Sequence, residues 1–93
     1  MTIYRERPWL IEARQVKGDL REYQEVAEQF GCDVVTDGTP AGTYIVIPYE
    51  LGGTSMAKDG DYIIRDRKGR VYTCPPNVFE DRYEPVGGDD ELP

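Results

Sequence analysis

Apolar residues recur with two different periods along the chain, and the switches between them mark the elements. From Trp9 to Val16 the odd positions Trp9, Ile11, Ala13 and Gln15 alternate with Glu12 and Arg14, which predicts a strand with Trp9 and Ile11 on its core face. Lys17-Gly18 breaks that pattern. Asp19 then reads as a helix N-cap, with Glu22 three residues on, and the spacing predicts a helix from Leu20 to Phe30. Its stripe is Leu20, Tyr23, Val26, Ala27 and Phe30, its other face is polar and mostly acidic, and Gly31 is its left-handed terminator.

The remainder reads as strands. Cys32 to Val35 predicts a short strand, ended by the turn cluster Asp37 to Gly42. Thr43 to Pro48 holds a continuous apolar run, Tyr44-Ile45-Val46-Ile47, and predicts a central strand covered on both faces. Thr54 to Ala57 is expected to be a short strand that hairpins into the next one. The densest signal runs from Lys58 to Val86: an Asp59-Gly60 turn, strands at Tyr62 to Asp66 and Val71 to Cys74, and Gly69 to take a positive φ between them. Pro75-Pro76 must stop the second strand. Asn77 is expected to cap one helical turn through Glu80, followed by a last edge strand from Tyr83 to Val86. Together these elements predict an α+β domain, a small mostly antiparallel β-sheet or partial barrel of about five to six strands with one amphipathic helix packed on it. Residues 1–86 are expected to form that single domain, and residues 87–93 an acidic, disordered tail.

Charge narrows the classes of partner. The net charge of the 93 residues is −7, and without a long basic run such a chain is a poor candidate for duplex nucleic acid or an anionic membrane surface. No apolar run approaches the ~20 residues of a membrane span, and Met1 to Glu6 lacks a signal-peptide core, so a cytoplasmic location is expected. Cys32 and Cys74 fit that compartment as two buried thiols, with a single Cys32–Cys74 disulfide as the alternative.

The chain contains no histidine. Ser-His-Asp and Cys-His machinery and most catalytic zinc sites therefore have no counterpart here, and no catalytic residue, metal site or cofactor is expected. Asp59 and Asp61 flank Gly60 without the ligand pattern of a calcium loop and are expected to be turn formers. Gly52-Gly53 lacks the following Lys-Ser/Thr of a phosphate loop. Trp9 is expected to anchor the core, with a stacking platform as the alternative.

One local feature runs against the acidic background. Arg65, Arg67, Lys68 and Arg70 gather at the hairpin tip, with Tyr62 and Tyr72 on its strands. Guanidinium groups beside aromatic faces are suited to a small phosphorylated or nucleotide ligand through bidentate hydrogen bonds and stacking. A solvated, charge-compensated turn containing Asp66 is the alternative. Arg5, Arg7 and Arg14 would add to this surface if the first strand lay beside it.

The segments Asp59-Gly60-Asp61-Tyr62-Ile63-Ile64, Gly69, Val71-Tyr72-Thr73-Cys74-Pro75-Pro76-Asn77-Val78-Phe79 and Tyr83-Glu84 resemble a signature found in a widespread group of short bacteriophage and prophage proteins. Its form is Pro-Gly-Asp-Trp/Tyr-Ile-Ile, a turn ending in Gly, Phe-Tyr-Pro-Cys-Lys-Pro-Asp-Ile-Phe and then Tyr-Glu. The opening Tyr4-Arg5-Glu6-Arg7-Pro8 with Ile11-Glu12-Ala13 is similar to that group's Tyr-Arg-Lys-Lys-Pro with Ile-Glu-Ala. Residues 32–50 lie outside the likeness. Asp59 and Thr73 stand where the group has proline, Pro75 where it has lysine and Asn77 where it has aspartate. The resemblance implies a phage-type origin and a small β-rich fold, and transfers no catalytic residue.

The expectation that follows is a non-enzymatic phage-type accessory protein that binds or sequesters a host protein or a signalling nucleotide, in host takeover or counter-defence. A single small core gains from self-association, so a homo-oligomer is among the expectations. The alternatives are a virion structural or assembly component, a small enzyme working without histidine, and an acidic DNA mimic, for which the charge is too evenly mixed.

Overall fold

The computed structural model describes residues 2–3, 10–49 and 52–85. In chain order these form β1 (Glu12–Gln15), α1 (Leu20–Phe30), β2 (Asp33–Thr36), a 3-10 turn (Pro40–Gly42), β3 (Thr43–Pro48), β4 (Thr54–Ala57), β5 (Tyr62–Arg65), β6 (Val71–Cys74) and α2 (Pro76–Arg82). The strands make two open, antiparallel, three-stranded sheets rather than one: β1-β5-β6 and β2-β3-β4. This is a small α+β fold. Trp9, Arg5, Arg7 and the acidic tail lie outside the described residues.

Helix α1 starts and stops where its sequence dictates. Asp19 Oδ1 accepts a hydrogen bond from the Glu22 amide at 3.0 Å, satisfying one orphan donor of the first turn. Gly31, at φ 68°, ends the helix, and its amide and that of Cys32 return to carbonyls of the last turn. Tyr23, Val26, Ala27 and Phe30 are buried, whereas Leu20 is 45% exposed because it sits at the first turn, over a cavity rather than over a sheet.

The core joins α1 to both sheets. Val16, Ile45, Ile47, Ala57 and Ile63 are fully buried against the α1 stripe. Each of the larger aliphatic side chains contributes about 1.5–3 kcal/mol by leaving water. On β1, the side facing α1 is the one carrying Arg14, which reaches Gln29 and Glu25 of the helix. The odd-numbered face expected to be inward carries Ala13, which is exposed, while Ile11 is half-buried. Val16, just past the strand, continues the pairing through its amide to Asp61 O at 2.7 Å.

Three further expectations are corrected. β4 pairs with β3, from Ile45↔Ala57 to Pro48↔Thr54, instead of making a hairpin with β5, because the Lys58–Asp61 turn carries the chain across to the other sheet. α2 spans seven residues with Pro75 at its N-cap, so Asn77 lies inside the helix; a proline at N1 loses no helical hydrogen bond. Tyr83–Pro85 form no strand. β3 is central in its sheet, as its apolar run predicts, but only its Ile45/Ile47 face is covered by α1.

Candidate functional site

The β5–β6 turn is organised by Asp66. Its amide and the Arg70 carbonyl close the loop at 2.9 Å, and Gly69 takes the positive φ of 85°. The Asp66 carboxylate accepts the Lys68 and Arg70 amides at 2.9 Å each and the Arg70 guanidinium Nε at 3.0 Å. Desolvation raises this carboxyl's pKa, but the hydrogen bonds from Arg70 and Lys68 outweigh it and leave the group below its ordinary value.

Strand alternation then divides the six predicted residues between two faces. Arg65 points toward α1: it donates to Gln29 O at 2.7 Å, pairs with Glu12 at 3.0 Å, and places its guanidinium 5.1 Å from the Phe30 ring centroid. That makes it a pin between β5 and the helix. Tyr62 and Tyr72 lie on the opposite face of the sheet. Tyr62 stacks on Phe79 of α2, with centroids 3.8 Å apart and planes within 6°, and Phe79 in turn contacts Tyr83. Tyr62 pairs with Cys74 at the far end of the hairpin, roughly 10 Å from the tip at the rise of a strand. Tyr72 is nearer, and burial, reinforced by a hydrogen bond with Tyr83, pushes its phenol up to about 12. Arg67, Lys68 and Arg70 remain together at the exposed turn.

Arg70, whose charge also acts on the Tyr72 phenol, borders a groove with further aromatic and apolar neighbours. Together with Phe30, Cys32, Ile47, Tyr49 and Val71 it lines an open groove of about 550 Å³ between the hairpin tip, the end of α1 and the end of β3. That volume falls in the range of small-molecule sites. Asp66 engages the guanidinium at Nε, and a guanidinium has five donors in all. Tyr49 is 48% exposed at the groove. Burial, then the Asp33 carboxylate, push the Cys32 thiol up against the opposing effect of Arg65, so it stays protonated and unsuited to nucleophilic attack. Cys74 is buried, and both thiols are free.

A second cavity, of about 500 Å³, lies between the start of α1, the Thr36–Thr43 turn and Asp59. Its charged residues are Asp19 and Asp59. Asp59 accepts the Tyr23 hydroxyl at 3.3 Å, and burial followed by this carboxylate raises the Tyr23 pKa. Asp61 accepts the Lys58 amide at 2.9 Å, which makes it a turn former. Among the described residues no group of three or more acidic or thiol side chains is placed to hold a metal, and no helix is long and apolar enough to cross a membrane.

No family model, curated protein or solved structure matches the chain. The groove residues come from the end of α1, the turn after it, the end of β3 with the segment that follows, and the β5–β6 turn with the start of β6, so no local sequence pattern joins them. Only Arg70 was legible as a candidate beforehand.

Proposed function

We propose that the protein is a non-enzymatic, phage-type accessory protein, acting in the cytoplasm by binding, and that its groove takes a small phosphorylated ligand of the nucleotide class. The observation that supports this reading is that Arg70 lines one groove together with Phe30, Ile47, Tyr49 and Val71. Such a lining accepts the faces of a base by burial and stacking, while the guanidinium hydrogen-bonds phosphate oxygens. Arg67 and Lys68, on the same turn, add positive potential in an otherwise acidic chain. The exposed aromatic ring that shares the groove with the cation is Tyr49, while Tyr62 is taken up by its stack on Phe79.

A thermal-shift series with mono-, di- and cyclic nucleotides tests it. A ligand that binds only the folded state, at ~100 times its dissociation constant, stabilises by roughly 2.7 kcal/mol. Arg70→Ala and Tyr49→Ala should abolish the shift and Tyr62→Phe should keep it. The reading fails if no nucleotide moves the wild-type transition.

A further inference from the structure

Of the described residues that line the groove at the hairpin tip, Arg70 alone carries a formal charge. That charge is already shared. The Asp66 carboxylate lies 3.0 Å from Arg70 Nε and also accepts the Lys68 and Arg70 amides, so the turn it organises fixes it beside the guanidinium. The Asp66 side chain is 16% exposed against 59% for Arg70, so water screens the carboxylate less than the cation.

The surroundings add no further cation to the groove. Cys32 lies in the field of the Asp33 carboxylate and, more weakly, of the Arg65 guanidinium, and Arg65 is itself held by Glu12 and Gln29 O. Arg67 and Lys68 are exposed on the same turn but do not line the groove, so solvent and salt screen what they contribute.

Donor geometry sets the same limit. With Asp66 on Nε, the Nη1 and Nη2 end of Arg70 presents one two-pronged fork. A phosphodiester offers two non-bridging oxygens and one negative charge, and a single fork satisfies both. A phosphomonoester carries about −1.5 to −2 on three terminal oxygens at pH 7, and di- and triphosphates carry more. Their surplus charge would lie beside Asp66 and against Phe30, Ile47 and Val71, where an unpaired charge is costly.

Resting on the nucleotide reading above, the geometry points to a ligand whose phosphate is a monoanionic diester. The groove takes a base joined to a phosphodiester, in a cyclic mononucleotide or a dinucleoside monophosphate, and discriminates against terminal phosphate esters.

The test is calorimetric titration of the full chain at about pH 7.5, where a phosphomonoester is nearly doubly ionised, with cyclic AMP, AMP and ATP and their guanine counterparts, ATP and GTP with and without magnesium. The cyclic nucleotide should bind about tenfold tighter than the monophosphate, and the triphosphate should be weaker still. Asp66→Asn keeps Oδ1 as acceptor for the two turn amides and removes the carboxylate charge. It should strengthen AMP and ATP more than cyclic AMP and shrink the preference several-fold. Glu80→Gln on α2 removes the same charge outside the groove and should leave the ratio unchanged. If Asp66→Asn fails to fold, Asp33→Asn gives the same readout from the Cys32 end. A dinucleoside monophosphate distinguishes the two sources of a diester: binding equal to cyclic AMP supports the proposal with a strand end as ligand, and weaker binding supports it with a cyclic one. AMP or ATP binding as tightly as cyclic AMP, or a preference that Asp66→Asn leaves intact, would overturn the proposal while the nucleotide reading stands. Binding of none of these compounds would remove that reading and the proposal with it.

Discussion

The two sheets have the same size and the same antiparallel pairing, yet they are finished differently. In β1-β5-β6, one face meets α1 through Val16, Ile63 and Arg65, and the other meets α2 through the Tyr62–Phe79 stack. Ile63 and Ile64, neighbours that point to opposite faces, are both fully buried. In β2-β3-β4, Ile45 and Ile47 are fully buried while their alternate neighbours Tyr44 and Val46 are not. The difference teaches that Arg65 and Tyr62 of the conspicuous hairpin are tied into packing, against α1 and α2 respectively, while Arg67, Lys68 and Arg70 stay at its exposed turn. The quieter sheet keeps an outer face that α1 does not cover, and an open groove lies between the end of α1, the end of β3 and the hairpin tip.

Truncating the core tests that contrast most strongly. Ile63→Ala and Ile64→Ala should each cost about 2–5 kcal/mol in chemical denaturation, because both faces of their sheet are closed. On the other sheet, Ile45→Ala should cost as much, whereas Val46→Thr should cost about 1 kcal/mol or less. A Val46 penalty equal to that of Ile45 would mean the outer face is covered after all.

Next in size is the aromatic cover of the first sheet. Phe79→Ala removes the ring stacked on Tyr62 and should cost about 1–3 kcal/mol, with hydrogen exchange quickening in α2 and β6 ahead of β3. If α2 amides keep their protection, the stack is not what holds the helix down.

Arg65→Ala should cost about 1–2 kcal/mol, since it removes a charge-assisted bond to Gln29 O, the Glu12 pair and the contact with Phe30. Arg65→Lys should recover little of this, because an ammonium lacks the planar fork. Nucleotide binding that vanishes in both variants while denaturation stays unchanged would return Arg65 to the ligand site and blur the contrast between pin and groove.

The smallest effect is a titration. Tyr72 should ionise at about 12 in the folded protein, and Tyr83→Phe should lower that value by removing one of the contributions that raise it, as read by ultraviolet absorbance. Because the folded value lies above the ordinary 10.0, the proton on Tyr72 contributes stability that is complete below about pH 10 and lost as pH rises toward 12. Asp66 has the opposite sign: its lowered pKa supports the turn above the ordinary carboxylate value, and that support fades as pH falls through its folded value.

Local chemistry was readable in the chain. Asp19, the three- and four-residue spacing of the α1 stripe and Gly31 set that helix's limits without help from tertiary contacts, because a cap, a stripe and a left-handed glycine act over single turns. Gly69 marked the β5–β6 turn, and Pro75-Pro76 marked the end of β6. The site was legible only in Arg70. Its neighbours Phe30, Cys32, Ile47 and Tyr49 are distant in sequence and acquire a common surface only through folding.

What the sequence by itself determined, then, is helix α1, the positions of the six strands and the absence of imidazole chemistry. Only the tertiary structure decided which strand pairs with which and which apolar face is left open. The run Tyr44-Ile45-Val46-Ile47 is the case in point. Its composition implies burial on both sides, but burial belongs to whatever packs opposite, and α1 can lie against one face only.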